Sequence, residues 1–250
     1  MDYKKAPISE VIIGVSYKTR KFSDIELINI NNYLNNDYPI FEIVPTLPDE
    51  ILDNNILSPK MDLNVTGPVL YRRKSKDNSY LIQIQGNKIY MNWLRLDGDS
   101  VGNYPGFSEL LNKFTTLISE IKKIINKEMF ANVEYFDLTY QDRFLVDEIM
   151  KDFPKTNQYI NMNLIPDFIS DAITGLNYNF LYKTKELNGY GIFTTNNNAN
   201  FQNKQVFMIQ SILRGKAETD TFDNWIQKAH AKQISLFEKF FTDELKQKWK

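Results

Sequence analysis

Two runs of strand-forming residues, Tyr80–Gln85 and Lys88–Leu94, are separated only by Gly86-Asn87. A two-residue connection of this kind closes a tight β-hairpin, and strands joined so closely must run antiparallel. The chain is therefore predicted to build at least part of its sheet from meanders rather than from parallel crossovers. Further strands are read at Val11–Tyr17, Ile40–Val44 and Val133–Arg143 from their β-branched and aromatic content. Leu176, Tyr178, Phe180 and Tyr182 alternate with their neighbours as a half-buried strand does, Asn188-Gly189 turns the chain into Tyr190–Thr195, and Val206–Leu213 follows.

Helices are equally legible. Ser23-Asp24-Ile25-Glu26 fits a capping box, which predicts a helix from there to about Asn36, stopping before Pro39. Phe107, Leu110, Leu111, Phe114, Leu117, Ile118, Ile121, Ile124 and Ile125 recur at three- and four-residue spacing, the mark of a long amphipathic helix, with Pro105 near its start. Phe222–Trp249 reads as a closing long helix. Pro45, Pro48, Pro59 and Pro68 punctuate a segment expected to be a long loop with a helical turn near Glu50–Leu52. The predicted class is α+β, with antiparallel sheet and long amphipathic helices packed on one face. Each half offers hairpins followed by one long helix. Residues 1–153 and 154–250 are accordingly read as two similar α+β lobes, or else as parts of one large sheet.

Composition narrows the chemistry. The 250 residues are 42% hydrophobic and 24% charged, with a net charge of -1. No global field draws the chain toward nucleic acid or an anionic membrane. There is no cysteine, which removes disulfides, thiolate nucleophiles and cysteine-based metal sites. No window approaches the ~18 apolar residues of a membrane span, and Met1-Asp2-Tyr3-Lys4-Lys5 leads into no apolar core of signal-peptide length. A cytoplasmic protein without a membrane partner is expected. Neither phosphate-binding glycine motif occurs, so ATPase and dinucleotide-enzyme readings lose their usual support. Frequent Asn, as at Asn29–Asn36 and Asn196–Asn200, reads as compositional bias rather than chemistry.

Several residues could carry chemistry, each with a plainer reading beside it. His230, the only histidine, lies between Ile226 and Ile234. It is expected to be mostly buried near Ile226 and Phe237 without a metal; a general base is the alternative. Asp97 and Asp99 could offer carboxylates to a cation, but are expected to make a turn. Glu134 and Asp142 share strand parity and Asp137 faces the other way, which does not by itself assemble a carboxylate pair. Arg72-Arg73-Lys74-Ser75-Lys76, beside Tyr71 and Tyr80, could contact nucleic-acid phosphates. The plainer reading is solvated charge on a connection between strands.

Four segments resemble a sporadically distributed family of uncharacterised prokaryotic proteins. Ala6-Pro7-Ile8-Ser9-Glu10 matches an N-terminal Ala-Pro-Ile-x-Glu motif, and Tyr104-Pro105-Gly106-Phe107 matches a Tyr-Pro-Gly-aromatic motif. Leu138-Thr139-Tyr140-Gln141-Asp142-Arg143 is similar to Leu-Arg-Tyr-x-Asn-Arg, departing at Thr139 and Asp142, and Ala229-His230 with Phe237 resembles the closing run. The resemblance implies a full-length member of a family without a settled activity. Its patchy occurrence implies a mobile or anti-phage locus.

The expected function is a non-catalytic binding or regulatory protein with a protein partner or self-association, and with no cofactor, metal or catalytic residue assigned. The alternatives are a metal-dependent hydrolase or nuclease using clustered carboxylates, and a nucleic-acid-binding subunit. The expected binding residues are Glu10, Tyr140, Arg143, Arg72, Arg73 and Lys74. Arg143 is expected to pair with Glu10 as an architectural clasp or, failing that, to present its fork to a ligand.

Overall fold

The computed structural model describes residues 6–18, 21–45, 49–53, 56–60, 69–96, 104–125, 132–147, 151, 158–161, 177–218 and 220–250, with backbone only at 49–53, 56–60, 69 and 197–198. Nine strands form one antiparallel sheet, in the order β2-β5-β6-β7-β1-β8-β11-β10-β9. They are β1 (Ile8–Tyr17), β2 (Ile40–Pro45), β5 (Val69–Lys74), β6 (Tyr80–Gln85), β7 (Lys88–Leu94), β8 (Val133–Leu145), β9 (Asn179–Thr184), β10 (Gly189–Phe201) and β11 (Lys204–Lys216). A separate two-stranded sheet joins β3 (Asp49–Asp53) to β4 (Ile56–Lys60). Among the described residues four helices are defined end to end: α1 (Asp24–Leu34), α2 (Phe107–Ile124), α3 (Phe222–Phe240) and α4 (Asp243–Gln247).

The local signals explain most of these elements. Gly86 takes a φ of 60° at the first turn position and Gln85 sits opposite Lys88, as a two-residue hairpin requires. Ser23 and Glu26 close the capping box at the start of α1, with the Glu26 carboxylate accepting from the Ser23 backbone N–H at 2.8 Å. The long helix expected from Phe107 is present as α2.

Three expectations are corrected. Residues 49–60 hold the β3–β4 pair rather than a helical turn, because Asp49–Asp53 and Ile56–Lys60 satisfy each other's backbone groups across a short connection. The closing helix breaks. Phe241 adopts an extended conformation and bridges Ile160, then Thr242 caps α4 by accepting from the Leu245 N–H at 3.3 Å. The Arg72–Lys74 run forms the end of β5 rather than a connection, so its side chains alternate between the two sides of the sheet.

β1 sits at the middle of the sheet, bonded to β7 on one side and β8 on the other. β8 in turn pairs along β11, so the sheet runs unbroken from residues of the first expected lobe into those of the second. The boundary at 153/154 lies outside the described residues. Val11, Ile13, Val15 and Tyr17 of β1 share a core with Ile30 of α1, Phe114 of α2 and Trp225 of α3. A second cluster, mostly aromatic, joins Phe193 and Phe207 to Phe240, Phe241 and Trp249. The intervening residues of β1, Glu10, Ile12, Gly14 and Ser16, point the other way.

Candidate functional site

The candidate site forms where β1 enters the sheet. A register shift at Ser9 kinks the strand, and the residues around it are tied to both neighbours. The Arg143 backbone N–H donates to the Pro7 carbonyl at 2.8 Å, and that of Arg95 donates to the Ser9 carbonyl at 2.8 Å. Ser9 Oγ donates to the Gln141 carbonyl at 3.0 Å. The bulge therefore fixes Glu10 on the side of the sheet opposite Val11 and Ile13.

On that side a chain of hydrogen bonds crosses four adjacent strands. Arg72 Nε of β5 donates to Gln83 Oε1 of β6 at 3.1 Å. Gln83 Nε2 donates to Asn92 Oδ1 of β7 at 3.0 Å, and Asn92 Nδ2 donates to Glu10 Oε1 of β1 at 2.5 Å. Gln83 and Asn92 are buried, so their amides have exchanged water for each other. Burial raises the Glu10 pKa; the Asn92 bond and the positive charges of Arg72 and Arg143 oppose it. Arg143 is also buried, and its guanidinium lies 3.5 Å from the Phe201 ring centroid.

The expected Glu10–Arg143 clasp is thus corrected. Arg143 acts on Glu10 through space, while the hydrogen-bond partner of Glu10 is Asn92. The physical reason is strand order. β1 has two neighbours, and the short amide of β7 reaches the carboxylate, whereas the guanidinium of β8 turns toward Phe201 and the Arg95 carbonyl, 3.4 Å away.

The other side of the same strands holds a chain of rings. Tyr104 Oη lies 3.1 Å from Tyr140 Oη, which lies 3.1 Å from His230 Nδ1. The His230 ring stacks on Phe107 with centroids 3.7 Å apart. Burial lowers the His230 pKa to about 4, so the ring is neutral near pH 7 and its tautomer sets which group of the chain donates. His230 is mostly buried, as expected. Its ring contacts are Phe107 and Tyr140 rather than Phe237, which stacks with Phe241 and Trp249 in the second cluster. Ile234, expected on the same apolar face, is 45% exposed.

Asp142 is buried near this chain, and its Oδ1 has no hydrogen-bond partner. Burial pushes its pKa up to about 7, with the Arg95 charge opposing. Burial also raises Tyr104 to about 12, and the Asp142 charge adds to this.

Of the residues expected to bind, Glu10, Tyr140, Arg143 and Arg72 gather around the start of β1, on its two sides. Arg73 and Lys74 do not join them. Arg73 donates to Asn31 and Asn35 of α1 at 3.2 and 3.1 Å and lies over Phe41, and Lys74 pairs with Glu42 at 2.6 Å. Glu134 and Asp142 are eight residues apart on one strand, about 26 Å at the usual rise, too far to share a metal ion. Asp97 and Asp99 lie outside the described residues. Among the described residues, no group of three His, Asp or Glu could hold a metal, and no helix is long and apolar enough to cross a membrane.

Gln83, Asn92, Arg95 and Phe107 were not singled out from the sequence as site residues. The available signal was a polar residue inside an apolar strand run: Gln83 stands between Ile82 and Ile84, and Asn92 between Met91 and Trp93. Tyr104 and Phe107 lie in a segment quoted above for its resemblance, and four such segments meet here through Glu10, Tyr104, Tyr140 and His230. No protein-family model matches the chain, and no curated protein matches it.

Proposed function

We propose that this chain is a non-catalytic binding protein that recognises a polar group of a partner protein on the sheet side carrying Glu10. The observation that carries this reading is the hydrogen-bonded chain from Arg72 through Gln83 and Asn92 to Glu10. It holds a cation and a carboxylate at fixed positions, with two buried amides locking the side chains between them. Fixed donors and acceptors lower the ordering cost of recognition. On this reading the partner meets the partly exposed ends of the chain, Arg72 and Glu10, while the buried amides hold them in place. A role in a mobile or anti-phage locus is the cellular setting that the resemblance adds.

The nucleic-acid alternative loses its cluster, because Arg72, Arg73 and Lys74 are engaged with three different neighbours. An acid–base alternative has one observation in its favour, the Asp142 carboxyl titrating near neutrality beside Tyr140.

Affinity capture from a prokaryotic lysate, with the wild type beside Arg72→Ala and Glu10→Gln, tests the reading. Partners held by the wild type and lost by both variants support it. Partners held equally by all three overturn it. Binding of labelled single-stranded DNA that weakens steeply with salt would also overturn it, in favour of a nucleic-acid role.

A further inference from the structure

The outer strand β2 ends the nine-stranded order, bonded to β5 on one side and, among the described residues, to no strand on the other. A free edge presents a row of main-chain donors and acceptors that another extended chain can pair with in place of water. This edge is also apolar. Of the ten exposed large hydrophobic side chains among the described residues, six lie between residues 25 and 43, with Ile40 at 37%, Phe41 at 42% and Ile43 at 56% exposure. The usual guards against pairing are sparse: β2 contains no lysine, and its one proline stands at its last position, Pro45.

We propose that β2 is a dimerisation edge, pairing antiparallel with β2 of a second copy of this chain about a two-fold axis at Glu42. Opposed residues in an antiparallel pair share a side of the sheet, so the axis must pass through a residue position. Centred on Glu42, the pairing sets Phe41 against the partner's Ile43 and Ile40 against the partner's Val44, apolar on apolar on both sides of the axis. Centred on Phe41 it would oppose Ile40 to Glu42, and centred on Ile43 it would oppose Glu42 to Val44. The like charges that meet at the axis are each neutralised within their own copy by Lys74, 2.6 Å from Glu42. Pairing β2 with the opposite edge β9 would be heterologous and would propagate into a filament, whereas β2 with β2 closes. β9 also carries Lys183, one of the guards that β2 lacks.

This inference is independent of the binding site around Glu10. Light scattering with size-exclusion chromatography should find a dimer for the wild type, a monomer for Ile43→Lys and an unchanged dimer for Phe180→Lys on β9. The chain lacks cysteine, so Glu42→Cys provides a second measurement. Opposed residues bring Cα atoms to about 4.5–5.5 Å, within disulfide range, so Glu42→Cys should oxidise to a covalent dimer and Asn179→Cys should not. A monomeric wild type at its highest soluble concentration, a dimer that survives Ile43→Lys but not Phe180→Lys, or the absence of a Glu42→Cys crosslink would each overturn the proposal.

Discussion

The two sides of the β1–β8 seam repeat one arrangement with different contents. On one side the meander β5-β6-β7 leads into α2, and its last strand pairs with β1; on the other, β9-β10-β11 leads toward α3, and its last strand pairs with β8. The polar residues inside the sheet differ. The first half uses neutral amides, Gln83 and Asn92, ending at one carboxylate. The second uses an ion pair, Asp137 with Arg214, whose guanidinium also donates to Tyr190 Oη at 3.1 Å. The Asp137 charge lifts Arg214 further above its ordinary pKa, outweighing the opposing effect of burial. The comparison teaches that one strand order accommodates either a buried ion pair or a polar chain that ends at a carboxylate.

If that contrast is right, the ion pair should be the costlier of the two to break. Asp137→Ala leaves the buried Arg214 charge without its partner and should destabilise by about 3–5 kcal/mol in urea unfolding. A loss below ~1 kcal/mol would show that Arg214 finds water or another acceptor, and the two halves would no longer differ in kind.

The seam itself should respond to pH. The Asp142 carboxyl titrates near 7 in the fold against 3.8 when unperturbed, so the folded state holds its proton more tightly. Its stability is complete below about pH 4 and is lost as pH rises through 7. Asp142→Asn removes that loss. Its unfolding free energy should match wild type at pH 4 and exceed it above pH 7, by an amount on the order of 4 kcal/mol at about 1.4 kcal/mol per pH unit. An unchanged difference across the pH range would mean Asp142 is ionised in the fold.

His230 acts in the opposite direction. Its pKa falls from 6.5 to about 4 in the fold, so its contribution is present above pH 6.5 and is lost on acidification toward 4. His230→Gln should flatten that part of the stability profile by about 1–2 kcal/mol, discounted because the ring keeps some contact with solvent. A wild-type profile as flat as the variant's would sink the point.

Glu10→Gln should have the smallest effect, within about 1 kcal/mol, because the amide oxygen still accepts from Asn92. A loss as large as that of Asp137→Ala would erase the contrast and make Glu10 as structural as the ion pair.

The hairpin about Gly86-Asn87, the capping box and α2 were readable because each depends on residues within a few positions of one another. What was not readable depended on neighbours distant in sequence. The break at Phe241 is invisible in a helical pattern that continues to Trp249; it arises from the bridge to Ile160 and the packing of Phe241 on Trp249. β3 and β4 were hidden by Pro59, which stands inside a strand. Glu10 was assigned to Arg143 because opposite charges are the obvious match, yet the sequence does not say which neighbour of β1 reaches the carboxylate. Nothing local separates Asn92 from the many other asparagines of this chain as the one that reaches Glu10. Convergence of the four resembling segments rests on strand order, which no local signal contains.

That strand order also governs the timing of synthesis. β1 leaves the ribosome early, but the first residue that can bond to it from β7, Lys88 opposite Ser16, follows about 70 residues later. At 5–20 residues per second the central strand waits roughly 4–14 seconds with both edges open, and longer for β8. For that interval Val11-Ile12-Ile13 is an unpaired β-prone run on the growing chain. The strand that organises the finished sheet is thus the nascent chain's main aggregation hazard, and the one a chaperone would need to shield first.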